Sequence, residues 1–255
     1  MPHILLTNDD GVTAPGLLAL AQELQSFGKI TILAPDRNWS ASGHVKTMHR
    51  PLRVKETRLR DGTPAFASDG APSDCVALAL LGFIEDEIDL VVSGINPNAN
   101  LGHDVTYSGT VTAAMEAVIG GVPGIAVSLD SPENHLAPLD YGPAARAARR
   151  VAAAFWARGF PEKTIINLNV PYLPDAEIKG IRITRQGLRL YRDALDRRLD
   201  PRGKPYYWIG GEPPAGVPEN GSDYGALKSG YISLTPLQLD LTDYAALDQL
   251  QKMEF

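Results

Sequence analysis

Short apolar runs alternate with helically spaced apolar positions through the first two-thirds of the chain. Ile4–Thr7 reads as a buried strand, and Pro15–Phe27 repeats Leu17, Leu18, Leu20, Ala21 and Leu24 at helical spacing. Ile30–Ala34, Leu90–Ser93, Ile125–Ser128 and Thr164–Val170 read as further core strands. Between them, Ser73–Gly82 opens on helix-starting Ser and Asp, Val111–Gly120 has a helical pattern, and Ala144–Arg158 is a long Ala/Arg-rich helix. Val45–Arg60 is mixed and predicts extended chain. Strands and helices alternating at this rhythm predict an α/β fold, a mostly parallel sheet with helices on both faces.

The pattern changes after about Pro171. Residues 172–242 are rich in Pro, Gly and Tyr, and in "LDPRGKPYYWIGG" the turn Pro201-Arg202-Gly203 joins two strands. Tyr206, Tyr207 and Trp208 on that β-rich hairpin extension suit an interface arm, because aromatics are enriched in interface cores. A short C-terminal helix begins near Asp243. The expected organisation is a single domain over 1–255, with an α/β core over about 1–185 and the hairpin and C-terminal segment over about 186–255.

Composition narrows the class. With 255 residues, 44% of them hydrophobic, the chain can bury a large core. No segment approaches the ~18 uninterrupted apolar residues of a membrane span. Met1-Pro2-His3 leads directly into the first strand without signal-peptide regions, and a lone Cys75 excludes an internal disulfide, so a cytoplasmic protein is expected. Cys75 precedes Val76, Ala77 and Leu78, which reads as a helix entering the core and an inert thiol. The net charge of -6, without a Lys/Arg block, argues against long nucleic acid as a partner.

In open parallel sheets, ligands sit beyond the carboxyl ends of the strands. Four polar loops fall there: Asn8-Asp9-Asp10-Gly11, "PDRNWSASGH" (35–44), "SDGAPSD" (68–74) and "GINPNANLGHDVTYSGTVTAAME" (94–116). Adjacent carboxylates at the end of a buried strand repel each other unless a cation compensates. Asp9 and Asp10, the amide oxygen of Asn96 and the hydroxyl of Ser40 form an oxygen-rich set suited to Mg²⁺ or Mn²⁺, while no zinc spacing of Cys and His occurs. Tyr107-Ser108-Gly109-Thr110-Val111 has small residues leading into a helix, a ready anion site. A plain cap by Ser108 or Thr110 is the competing reading, weakened because neither Val111 nor Ala113 can complete a capping box. His44 and His103 lie in these loops, either as a general acid or as hydrogen-bonding loop residues.

Two familiar patterns fail. "NDDGVT" suggests an aspartyl phospho-enzyme motif, but Asn8 then stands where the nucleophile belongs. A Gly-x-Gly-x-x-Gly turn after the first strand is absent.

Taken together, "TNDDG" (7–11), "APDRNWSASGH" (34–44), "SDGAPSDCV" (68–76), "SGINPNANLGHDVTYSGTVTAAME" (93–116), "LNVP" (168–171), "TRQG" (184–187) and "GSDYGALKSGYISLTPLQLDLT" (221–242) resemble the SurE family. These are stationary-phase survival proteins, metal-dependent phosphatases of nucleoside monophosphates. The resemblance implies a Rossmann-like core, one divalent metal ion per subunit (Mn²⁺ or Mg²⁺), 5'- and 3'-nucleotidase activity, and a homodimer or homotetramer built through the hairpin and an exchanged C-terminal segment. It implies metal ligation by Asp9, Asp10, Ser40 and Asn96, and phosphate binding by Ser108, Gly109 and Thr110. Asn8, Ser42 and Asn100 line the same pocket in this reading. Ala71 departs from the family's pattern by lacking a hydroxyl, which removes a substrate contact there and leaves the metal set intact. The implied mechanism is direct hydrolysis without a phospho-enzyme, with Asp9 or Asp10 orienting water. The rival is a regulatory nucleotide-binding protein without catalysis, against which the Asp-Asp pair argues, since a binder gains little from negative charge beside phosphate.

Overall fold

Alternation along the first strand sets the architecture. In β1 (His3–Thr7), Ile4 and Leu6 pack with helices α1 (Pro15–Leu24) and α4 (Gly142–Arg158) on one face. Leu5 points the other way, toward α2 (Pro72–Leu78) and α3 (Gly109–Ile119). Each such fully buried aliphatic side chain contributes about 1.5–3 kcal/mol, so both faces must stay covered. The computed structural model describes residues 1–132, 135 and 137–253, with the backbone but not the side chains of 192–193 and 211–214.

Among the described residues, nine strands form the central sheet. Besides β1 they are β2 (Lys29–Pro35), β3 (Val54–Arg58), β4 (Pro64–Ser68), β5 (Leu90–Asn96), β6 (Gly124–Asp130), β7 (Thr164–Pro171), β8 (Ile181–Ile183) and β11 (Ile232–Gln238), ordered β3-β4-β2-β1-β5-β6-β7-β11-β8. Pairing is parallel from β4 through β7, and antiparallel where β3 meets β4 and where β11 meets β7. The expected α/β class is therefore present. β1 lies between β2 and β5, so the loops leaving β1 and β5 separate on opposite sides and open a crevice at their carboxyl ends.

Two features depart from the expected layout. The helix predicted to reach Gly82 is α-helical only to Leu78 and continues as a π turn over Ala79–Phe83, which breaks at Gly82, where φ is 108°. The boundary near residue 185 is also not clean: β11 returns to the central sheet between β7 and β8. What does stand apart is the hairpin of β9 (Arg189–Leu199) and β10 (Pro205–Gly216), a separate two-stranded sheet turning through Pro201-Arg202-Gly203. A last helix, α6 (Tyr244–Leu250), follows a short α5 (Asp223–Lys228). Cys75 is fully buried and burial pushes its thiol up, away from reactivity. Among the described residues, no helix is long and apolar enough to cross a membrane.

Candidate active site

The loop after β1 is built by Asn8. Its side-chain amide donates to Gly11 O at 3.0 Å and its side-chain oxygen accepts from Gly11 N at 3.2 Å, closing a tight turn. Gly11 takes φ 97°, and a Cβ there would meet the Arg37 backbone at 3.2 Å, so glycine is required. Asn8 is fully buried and both ends of its amide are engaged. It thereby shapes the turn that presents Asp9 and Asp10.

Asp9 is 3% exposed and sits against the start of α3. Thr110 Oγ1 donates to Asp9 Oδ1 at 2.6 Å, and the backbone amides of Gly109 and Thr110 also favour its charge. Burial outweighs these contacts and raises the Asp9 carboxyl above the ordinary range. Asp10 is pushed up to about 7, first by burial and then by the charge of Asp9. Asn38 Nδ2 donates to Asp10 Oδ1 at 3.3 Å, but no Lys or Arg pairs with either carboxylate among the described residues. Two carboxylates side by side, largely out of water and without a protein cation, are the arrangement a bound cation would relieve.

The second loop is laid against this pair. Trp39 N donates to Asp9 O at 2.7 Å, and Asn38 Oδ1 accepts from Ser40 N at 2.7 Å, so Asn38 links Ser40 to Asp10. Gly43 N donates to Tyr107 O at 2.9 Å, and Thr112 Oγ1 donates to Gly43 O at 3.1 Å. Glu116 on α3 then takes His44 Nε2 and Lys46 Nζ, each at 2.9 Å, and is held below the ordinary carboxylate range chiefly by His44. His44 is thereby a brace for the loop. His103 lies at the surface, where its carbonyl accepts from Thr106. The Ser42 Oγ atom is buried without a hydrogen-bond partner among the described residues, so it is available to a ligand.

The third loop leaves β5 at Asn96, whose side-chain amide donates to Asn98 O and leaves its own oxygen free of protein donors among the described residues. Asn100 anchors the loop. It donates through its side chain to Ser128 Oγ at 2.8 Å and through its backbone to Asn169 Oδ1 at 2.8 Å. Its carbonyl accepts from Asn167 and Asn169 at 2.9 and 3.1 Å. Farther along, Gly102 N and Gly187 N both donate to Asp223 at 2.8 Å, and Arg189 Nε donates to Asp104 at 2.7 Å. Ser108 caps α3, its hydroxyl accepting from Val111 N at 3.1 Å. The leading amides of α3 are therefore not all open, as the sequence led us to expect: Val111 is capped, while Gly109 and Thr110 face Asp9. A Cβ on Gly109 would lie 2.7 Å from Asp9 Cβ, which explains the glycine.

Thus Asp9 meets Gly109 and Thr110 directly and Asp10 is linked to Ser40 through Asn38 at the crevice beside β1, with Ser42 farther along the same second loop and Asn96 at the end of the neighbouring strand. Among the described residues there is no group of three or more His, Cys, Asp and Glu side chains able to hold a metal. Two carboxylates supplemented by neutral oxygens match a hard divalent cation that keeps water or phosphate ligands. Asn38, Glu116, Asn167, Asn169 and Asp223 were not expected in supporting roles. Only Asn167 and Asn169 carried a signal: two polar residues at alternate positions of an apolar strand share one face.

Comparison with known proteins assigns the fold to a family. The family profile "Survival protein SurE" matches residues 4–193. A protein of Herpetosiphon aurantiacus named "5'-nucleotidase SurE" is 51% identical over 251 residues, covering 98% of this chain and 96% of its own. One of Chloroflexus aggregans with the same name is 49% identical, covering 99% of each chain. The crystal structure of the SurE protein from Aquifex aeolicus superposes with a TM-score of 0.82 at 41% identity, covering 98% of each chain. The chain belongs to the SurE survival-protein family.

Proposed function

We propose that this protein is a divalent-metal-dependent 5'-nucleotidase, a phosphomonoesterase that also accepts nucleoside 3'-monophosphates. The observation that carries the reading is the uncompensated pair Asp9 and Asp10 packed against the start of α3. The relatives named "5'-nucleotidase SurE" support the 5'-nucleotidase activity over 98% and 99% of the chain. Asp9, Asp10, Ser40 and Asn96 would hold the cation, Mn²⁺ or Mg²⁺. When bound, the cation neutralises the carboxylates and polarises the phosphoryl oxygens.

The remaining work belongs to side chains and amides. Ser42 and Ser108, whose hydroxyl accepts in the cap and keeps its own hydrogen to donate, receive the phosphate beside Gly109 and Thr110, helped by the positive end of the α3 dipole. Asp9 is held by Thr110, and Asp10, the more open of the two, directs the attacking water at phosphorus. Water forms the new P–O bond, the ester P–O bond breaks, and nucleoside and inorganic phosphate leave. The buried, unpaired thiol of Cys75 supports a reducing compartment, the cytoplasm.

The active unit is a homodimer or homotetramer assembled through the hairpin arm and the C-terminal segment. Leu195, Trp208 and Ile209 on the hairpin are 68%, 63% and 85% exposed, and Leu241 before α6 is 90% exposed. Apolar surface of that extent fits a second copy of the chain. Light scattering measures the assembly, and Trp208→Asp with Ile209→Asp lowers its mass; an unchanged wild-type monomer refutes the arm.

The function itself is tested by phosphate release from 5'-AMP, 3'-AMP and p-nitrophenyl phosphate, with EDTA or with Mn²⁺ or Mg²⁺. Wild type turns over only with metal, and Asp9→Asn loses that turnover. Folded protein that releases no phosphate with any metal or ester refutes the nucleotidase and returns the chain to nucleotide binding without catalysis.

A further inference from the structure

A cleft of about 1000 Å³ opens beyond the carboxyl ends of β5, β6 and β7, next to Asn96 of the proposed cation site. Its near wall is the third loop at Asn98, whose carbonyl accepts from the Asn96 side chain. Ser131 Oγ, donating to Pro97 O at 2.6 Å, ties that wall to the end of β6. Tyr141 lies near both Asp10 and Tyr172, and Tyr172 lines the far wall, so the cleft and the carboxylate pair share one edge of the sheet.

Within this cleft stands Asp130, the last residue of β6, paired in register with Pro171. It is half-buried, and no hydrogen bond reaches its carboxylate among the described residues. Lys228 on α5 and Arg189 at the root of the hairpin attract its charge from the opposite wall. β6 lies two strands from β1 in the sheet. At the usual strand spacing that sets Asp130 on the order of 10 Å sideways from Asp9.

We infer that this cleft seats the nucleoside of the substrate and that Asp130 accepts hydrogen bonds from its ribose hydroxyls. The inference rests on the nucleotidase reading and extends it to substrate selection. A carboxylate is an acceptor only, so it is satisfied by a ligand that brings O–H or N–H donors. An apolar alcohol in the same place would bury Asp130 without a partner. Acidic residues at the edge of other open α/β sheets receive ribose hydroxyls in the same manner. The volume also falls at the upper end of that of ordinary small-molecule sites.

The test compares AMP, its 2',3'-dideoxy analogue and p-nitrophenyl phosphate, using the full chain with Mn²⁺. Wild type prefers AMP to the dideoxy analogue by about tenfold or more in kcat/KM, the worth of a hydrogen bond to a charged group. Asp130→Asn closes that gap and lowers the ratio of AMP to p-nitrophenyl phosphate turnover by a similar factor, chiefly through KM. Wild type that hydrolyses p-nitrophenyl phosphate but does not distinguish AMP from its dideoxy analogue overturns the subsite and leaves the phosphatase standing. An equal loss on all three substrates in the variant assigns Asp130 a structural role and also overturns it. Hydrolysis of no ester by wild type removes the nucleotidase and this inference together. The wild-type comparison stands even if the Asp130 variant fails to fold.

Discussion

Thr110 Oγ1 and Asp9 Oδ1 are joined by a 2.6 Å hydrogen bond between residues 101 positions apart in sequence. One lies in the first turn of α3, the other just beyond the end of β1, and both are buried. The bond fixes the carboxylate that burial opposes, and it defines the spacing between the proposed cation and phosphate positions. Thr110→Val keeps the volume but leaves a buried acceptor unmatched, which costs about 1–3 kcal/mol. Denaturation curves show that loss, and kcat/KM for AMP drops by at least the tenfold that ~1.4 kcal/mol represents. Thr110→Ser restores most of both.

The Asp10 carboxyl, crowded by Asp9, makes the protein's stability respond to divalent cations. In EDTA, Asp10→Asn removes like-charge repulsion and raises the melting temperature, by ~2–4 °C for each kcal/mol relieved. In wild type, Mn²⁺ at a hundred times its Kd adds about 2.7 kcal/mol, and Asp10→Asn loses most of that gain. Calorimetric scans with and without Mn²⁺ measure both shifts. A variant stabilised by Mn²⁺ as much as wild type removes Asp10 from the cation site.

Glu116 gives the second loop a dependence on acidity. Its folded pKa is depressed, so the folded state binds fewer protons than the unfolded chain in the carboxylate range. The stabilisation is complete above the ordinary glutamate pKa and is lost as pH falls through the lowered value. Glu116→Gln therefore melts below wild type at pH 7, and the gap narrows as pH descends through and below that range. Releasing His44 and Lys46 also loosens the stretch holding Ser40 and Ser42, so KM for AMP rises more than kcat falls.

Gly109 marks the closest approach of α3 to Asp9. An added methyl group at 2.7 Å from Asp9 Cβ forces one of the two backbones aside. Gly109→Ala loses about a hundredfold in kcat/KM, the typical result of a misplacement near 1 Å. Far-ultraviolet circular dichroism remains that of wild type, because the helix start itself accepts alanine.

The sheet's central strands and the acidic pair were legible because they obey or break burial rules locally. Ile4, Leu5 and Leu6 demand a core, and Asp9-Asp10 immediately afterwards contradict it. Other assignments needed the third dimension. Asn8 and Asn100 have the chemistry of ligand-binding residues, yet their amides close protein contacts that composition does not disclose. Asp223 sits near a helix start and reads as a local cap, while its partners Gly102 and Gly187 lie 121 and 36 residues away. β11 was obscured by Pro236, which lacks an amide hydrogen. It fits because, among the described residues, β8 pairs only with Ile232, Ser233 and Leu234, leaving the strand open on that side at Pro236.

The clamp of Asp223 on Gly102 also imposes an order in time. The third loop emerges from the ribosome 121 residues before the carboxylate that pins it. At ~5–20 residues per second, that interval is on the order of 6–24 s. Through that interval the growing chain already carries Asp9, Asp10 and Ser108, but the stretch connecting Asn96 to Ser108 lacks this anchor. The third loop therefore reaches its finished geometry late in synthesis, and a chain truncated before Asp223 keeps the acidic pair without the clamp that pins this loop.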